Sequence, residues 1–261
     1  MQPLNRRIDD WHGRRAWLVG ASSGIGAALA AELLQAGATV ALSARRAERL
    51  QSLAARHASG RAIVAPFDIL DRDAWGERYR EICTQAGAID LVIFCAADYH
   101  PERSWEISAE GAAHTLAVNL GSVYTGLATV LPDMLARGSG GIAIIASVAG
   151  YVGLPNASVY GPSKAALINL AELLYTDLHP RGLDVYLINP GFVQTELTAK
   201  NAFTMPALQT PQDAARAIVR GLVAGQFEIH FPKRFTLLVK LMRWLPYRLR
   251  FALFTHFLKP T

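Results

Sequence analysis

A chain of 261 residues that is 51% apolar can bury one large core, which excludes global disorder and makes a single domain the ordinary expectation. Two cysteines, Cys83 and Cys95, are too few to staple a secreted scaffold, and the opening stretch to Arg15 carries charges where a leader would need an apolar run, so a reducing, cytoplasmic setting is expected. The net charge of +5 comes from one end: every acid lies at or before Glu228, and the seven cations beyond it leave the body slightly acidic, which argues against a nucleic-acid footprint.

In chain order, runs rich in Val, Ile and Ala at 16–20, 39–43, 62–67, 91–96, 142–147 and 185–189 predict strands apolar on both faces, the mark of a parallel sheet sandwiched by helices. Between them, helical patterns at 27–35, 47–57 and 73–85 stop at or near Gly37, Gly60 and Gly87. Two longer helices are predicted over 109–136 and 158–179, and a late one over 211–224 opens with Thr210 as N-cap before Pro211. The stretch 226–231 supplies a seventh strand. The alternation implies an α/β class, a single doubly wound domain of about seven parallel strands with helices on both faces, covering 1–231, followed by a basic extension over 232–261.

The first strand runs into Gly20-Ala21-Ser22-Ser23-Gly24-Ile25-Gly26 and then a helix. Strand, glycine turn and helix N-terminus together form an anion cradle: glycine lets backbone approach a pyrophosphate, and the helix offers unpaired N–H groups and a positive dipole end. A tight turn without a ligand remains the alternative. After the second strand comes Ser43-Ala44-Arg45-Arg46, where an acid would bind a ribose hydroxyl and a cation suits a 2′-phosphate. Of these two arginines, Arg46 is expected on the solvated first turn of the next helix.

Tyr160-Gly161-Pro162-Ser163-Lys164 sets a phenol and an ammonium one helical turn apart, hence on one face. Reduction of a ketone needs a proton donor at oxygen, and a free phenol with pKa near 10 is poorly poised to work in both directions. An ammonium at about 4 Å and an effective dielectric near 20 favours phenolate by about 4 kcal/mol, some three pKa units, enough to bring it near neutrality.

The glycine spacing with Ala-Ser-Ser inside it, the Tyr-x-x-x-Lys pair, Ser147 and Asn119 upstream, and Asn189-Pro190-Gly191-Phe192-Val193-Gln194-Thr195 after the sixth strand resemble the short-chain dehydrogenase/reductase family over about 14–231. The resemblance implies a catalytic tetrad of Asn119, Ser147, Tyr160 and Lys164. Ser147 would grip the substrate oxygen, Tyr160 would act as acid or base, Lys164 would also hold the nicotinamide ribose, and Asn119 would carry a water for proton relay. It implies cofactor contacts from Gly20, Ser22, Ser23, Gly24, Ile25, Gly26, Arg45, Asp68, Ile69, Ala96, Tyr160, Lys164, Pro190, Gly191, Val193 and Thr195. With Ala44 where NAD-preferring relatives carry Asp, NADP(H) is expected over NAD(H); no metal is.

Two departures stand out: Val19 replaces the usual threonine, and Phe94-Cys95-Ala96-Ala97 replaces Asn-Asn-Ala-Gly, which implies altered packing with Cys95 as a small buried apolar residue. By the same resemblance the substrate lies among Ser147, Tyr151, Leu154, Tyr160 and Phe192. Tyr99, Val152, Phe203, Met205 and Leu208 add to an apolar lining, which favours an apolar carbonyl or alcohol as small-molecule partner and an NADPH-dependent reductase as the function. A silent NADP(H)-binding sensor working through its basic tail is the alternative. The long helices commonly pair between subunits in this family, so a homodimer or homotetramer is expected.

The tail sets Lys233, Lys240 and Arg243 against Phe235, Leu238, Leu241, Met242 and Leu245, and after Pro246 sets Arg248, Thr255 and Lys259 against Leu249, Phe251, Leu253, Phe254 and Phe257. No apolar run approaches the ~20 residues of a spanning helix. Two readings stand open: helices packed on the body or a second subunit, or interfacial helices touching a membrane surface through 233–258, peripheral at its inner face.

Overall fold

Seven runs, most of them rich in Val, Ile, Leu or Ala, form one parallel sheet in a computed structural model that describes residues 2–57 and 60–257. The strands are β1 (Arg15–Val19), β2 (Thr39–Ser43), β3 (Ala62–Val64), β4 (Leu91–Phe94), β5 (Gly140–Ile145), β6 (Leu183–Pro190) and β7 (Glu228–Phe231), in the spatial order β3-β2-β1-β4-β5-β6-β7. All seven predicted strands are present. β3 and β4 stop before the predicted ends because the chain turns out of the sheet there, into the residues that border the groove described below.

Side chains alternate across a pleated strand, and here the alternation deals them into two cores. Trp17, Val19, Val92, Phe94, Ile142 and Ile144 face one layer, with α3 (Arg72–Ala86), α5 (Ser122–Arg137) and α6 (Tyr160–Leu178). Ala16, Leu18, Val40, Leu42, Ile93 and Ile145 face the other, with α1 (Gly24–Gln35), α2 (Ala47–Arg56) and α7 (Pro211–Val223). Helix ends carry local causes: Asp71, Ser108 and Thr210 accept from first-turn N–H groups, and Thr210 does so before Pro211 as expected.

The helix predicted over 109–136 is interrupted. α4 (Ala109–Leu116) passes through a π-turn, Ala117–Gly121, before α5 continues, so that one extra residue is accommodated and Asn119 is rotated fully into the interior. Sequence periodicity does not foresee this, because the stretch Ala117-Val118-Asn119-Leu120-Gly121 reads as ordinary helix.

Beyond β7, α8 (Lys233–Trp244) and α9 (Tyr247–Phe257) form the tail, while Leu258 to Thr261, and with them Lys259, lie outside the described residues. α8 is anchored on the body: Val239 enters the core beside α6, Phe235 meets Phe192 with ring centroids 5.7 Å apart, and Thr236 Oγ1 lies 2.6 Å from His230 Nδ1 on β7. No helix among the described residues is long and apolar enough to cross a membrane.

Candidate active site

β1 and β4 are neighbours in the sheet although their connections leave in opposite directions, and the crevice beyond the strand ends at that switch point is where open α/β sheets bind ligands. A cavity of about 460 Å³ opens there. Its walls include all the expected cofactor residues: the turn from Gly20 through Ser22, Ser23, Gly24, Ile25 and Gly26, then Arg45, Asp68, Ile69, Ala96, Pro190, Gly191, Val193 and Thr195, with Ser147, Tyr160 and Lys164 at the far end.

The glycines are required by the protein's own backbone as much as by any ligand. A Cβ on Gly20 would sit 2.4 Å from Ala96 N, and one on Gly26 would lie 2.0 Å from Gly20 O; Gly24 adopts φ +55 and faces Thr195 Cγ2. This close packing of the turn, the strand after it and the β6 loop leaves the N-terminal turn of α1 open to the cavity. Ser23, its N-cap, makes no side-chain cap bond, so the first N–H groups are not satisfied by it. The donor set, the glycine backbone and the small Ala96 and Ala97 fit an NAD(P) dinucleotide; Ser22, Ser23 and the arginines would hold its phosphates, and Tyr160 and Lys164 would border its nicotinamide end.

Arg46 corrects its expected place. It is only partly solvated: Nη2 donates to Ser22 Oγ and Ser23 Oγ, both at 2.9 Å, and Nη1 donates to Glu196 Oε2 at 3.0 Å. Arg45 is the more exposed of the pair. Glu196, a residue that sequence reasoning missed, also accepts from Arg49 at 2.5 Å and so ties the β6 loop to α2 across the glycine turn. Arg49 and then Arg46 hold its carboxyl below the usual range. Nothing local signals Glu196, since its partners lie about 150 residues away.

At the other end, Tyr160 is the first residue of α6 and Lys164 the fifth, and their side chains lie on one face as expected. Lys164 Nζ donates to Ile145 O at 3.0 Å and lies 5.4 Å from the Tyr160 ring centroid. Burial works against the expected fall of the phenol toward neutrality. Burial pushes Tyr160 up to about 12, with the Ser147 hydroxyl pulling the other way and Tyr99 and Cys95 adding to the rise. Burial likewise lowers Lys164 to about 8. Desolvation is the largest influence on both groups, and it favours the neutral form of each.

Asn119 does not line the cavity. Its Oδ1 accepts from Asp98 N at 2.7 Å, and its Nδ2 donates to Asp98 O at 2.9 Å and to Ser163 Oγ at 3.0 Å. Both amide hydrogens are therefore used, and the side chain braces the loop after β4 against α6. Ser163, also missed from sequence, passes the brace on by donating to Tyr160 O at 2.7 Å. Tyr99 packs edge-on against Tyr160, centroids 4.9 Å apart, and Lys200 Nζ donates to Tyr99 O at 2.6 Å from the cavity wall. Cys95 sits on the cavity floor, its thiol pushed up to about 12 by burial, consistent with a small apolar role.

The expected substrate residues divide. Ser147 and Tyr160 line the cavity. Tyr151 is turned away, its hydroxyl donating to Glu228 Oε1 at 2.5 Å, with Glu228 also paired to Lys240 and accepting from Asn189 Nδ2 at 2.9 Å. Leu154 packs on the core that holds Trp17 and Phe94, and Phe192 lies between Phe203, which it meets edge-on, and Phe235, toward which it is tilted. Among the described residues, no group of three or more His, Cys, Asp or Glu could hold a metal ion.

Comparison with known proteins agrees with this geometry. The family model for short chain dehydrogenase matches residues 14–205. An uncharacterized oxidoreductase of Myxococcus xanthus (strain DK1622) is 34% identical over 89% of this chain and 93% of its own length. Another, from Staphylococcus aureus (strain USA300), is 32% identical over 79% of this chain and 90% of its own. Among solved structures, a short chain dehydrogenase/reductase from Burkholderia phymatum in complex with NAD superposes with a TM-score of 0.81 at 23% identity, covering 90% of this chain and 94% of that one. An alcohol dehydrogenase from Thermococcus sibiricus complexed with 5-hydroxy-NADP gives a TM-score of 0.76 at 23% identity over 84% of this chain and 95% of that one. With the switch-point groove, the glycine turn and the Ser147, Tyr160 and Lys164 cluster in one fold, this chain belongs to the short-chain dehydrogenase/reductase family and is an NAD(P)-dependent oxidoreductase.

Proposed function

We propose that the enzyme is an NADPH-dependent reductase of an apolar ketone or aldehyde, able to run in reverse on the alcohol, with Tyr160 as general acid. The carrying observation is the grouping of Ser147, Tyr160 and Lys164 at one end of the cavity whose other end is the glycine turn, with Lys164 Nζ fixed on Ile145 O. A nicotinamide bordered by Tyr160 and Lys164 would supply the hydride. Tyr160 then donates its proton to the carbonyl oxygen as Ser147 hydrogen-bonds the same atom, stabilising the charge that develops there. The phenolate left behind is offset by the Lys164 ammonium and reprotonated through it, while the Ser163 and Asn119 brace keeps the first turn of α6 in place.

Preference for NADP(H) over NAD(H) is supported by Ala44 at the end of β2, where an acid would meet a ribose hydroxyl, and by Arg46 on the Ser22 and Ser23 hydroxyls with Arg45 next to it, while Glu196 is held by Arg46 and Arg49. The apolar substrate class is supported by Phe192, Phe203 and Phe235 packed beside the cavity. Exposed Leu116 and Tyr124 on the α4–α5 rod and Leu173 on α6 support pairing of those helices in a homodimer or homotetramer.

The test is NADPH oxidation against a panel of apolar aldehydes and ketones, with Tyr160→Phe alongside. The variant is expected to bind NADPH normally and to lose about a hundred- to ten-thousand-fold in turnover, the range general acid catalysis contributes. Unchanged turnover in that variant overturns the mechanism.

A further inference from the structure

The tail helices present an outward face that the catalytic reading does not use. On a helix of 3.6 residues per turn, Arg234, Leu237, Leu238, Leu241 and Trp244 of α8 fall within an arc of about 120°. That arc is solvent-exposed, with Leu241 63% and Trp244 85% accessible, and Tyr247 and Leu249 continue it onto α9. The opposite face is fixed on the body through Phe235, Thr236 and Val239, so the exposed arc belongs to a docked helix, not to one awaiting its place in the core.

The charge around this apolar arc has one sign. Arg234 lies within it and Arg248 is exposed between Tyr247 and Leu249, neither of them in an ion pair among the described residues, and the chain has no acid after Glu228. Glu228 itself is taken by Lys240, Tyr151 and Asn189 on the inner side. Trp and Tyr over a leucine face with flanking arginines is the chemistry of the headgroup layer, where aromatic rings sit at the boundary, leucines enter the acyl region and cations meet anionic lipid. A second copy fits less well, since a two-fold pairing through this face would set the same arginines against one another.

We propose that the outer face of α8 and the start of α9 docks on the surface of an anionic phospholipid bilayer, holding the enzyme at the interface without spanning it. This surface is independent of the catalytic reading and is tested without substrate. The full chain is floated with vesicles of phosphatidylcholine alone and of an equal mixture of phosphatidylcholine and phosphatidylglycerol, at low and raised salt. The expected result is partitioning onto the mixed vesicles that weakens with salt and falls about five-fold for each of Arg234→Gln and Arg248→Gln. Leu241→Ser with Trp244→Ser should abolish it while leaving the thermal midpoint unchanged, which shows that the fold is intact. Equal flotation of that double variant, equal binding to both vesicle types, or no binding by the parent chain overturns the proposal. So does a smaller oligomer in the double variant by light scattering with no lipid binding by the parent, which would make a second copy the occupant.

Discussion

At the residue scale, the catalytic cluster works through burial more than through attraction between its charges. Lys164 is almost wholly inaccessible, and burial lowers its pKa to about 8. In the reductive direction both Tyr160 and Lys164 act protonated, so kcat/KM for carbonyl reduction should hold below about pH 8 and fall as pH rises through it; a profile flat to pH 10 would remove Lys164 from the proton path. Ser147→Ala should lower turnover about a hundred-fold or more with little change in NADPH binding, as for loss of one donor to a developing oxyanion. Cofactor choice belongs to this scale too. Arg46→Ala removes charge-assisted bonds each contributing about 1.5–3 kcal/mol, so NADPH should bind at least ten-fold more weakly with NADH little affected, by fluorescence titration. Glu196→Gln should act oppositely on NADPH, since it loosens the carboxylate that holds Arg46 and Arg49.

At the scale of elements, the π-turn between α4 and α5 and the docking of α8 are the two features that shape the site from outside it. The π-turn brings Asn119 inward, where it ties the Asp98 loop to Ser163 on the first turn of α6. α8 approaches from the other side: Phe235 supports Phe192, and Lys240 completes the Glu228 network that draws the Tyr151 hydroxyl away from the cavity. Lys240→Met leaves the half-buried Glu228 carboxylate without its cation and should cost about 1–3 kcal/mol in urea denaturation. Adding Glu228→Gln should recover much of that loss, because the uncompensated charge is then gone. Strictly additive losses would show that the two groups do not interact.

For the whole molecule, the tail and the body form one folded unit whose joint responds to acid. His230 on β7 lies against Thr236 of α8; the threonine hydroxyl faces the Pro232 and Lys233 carbonyls at 3.1 Å, so it accepts from Nδ1–H of the ring. Burial, with Lys240 and Lys233 nearby, lowers His230 to about 4. Between about pH 6.5 and 4 the unfolded chain binds a proton that the folded chain refuses, so stability present above pH 6.5 declines as pH falls, by on the order of 3 kcal/mol in full. Thermal midpoints at pH 7 and 5 should differ less in His230→Gln than in the parent chain. The sequence alone determined the parallel sheet, the glycine turn, the Tyr160 and Lys164 face and the basic tail, because strand alternation, turn chemistry and helical spacing act between residues close along the chain. Only the tertiary structure decided that Arg46 lies over the serines, that Asn119 braces instead of lining the groove, that Tyr151 turns to Glu228 and that burial governs Tyr160. Each of these depends on partners or solvent exclusion supplied by segments distant along the chain, which no local pattern encodes.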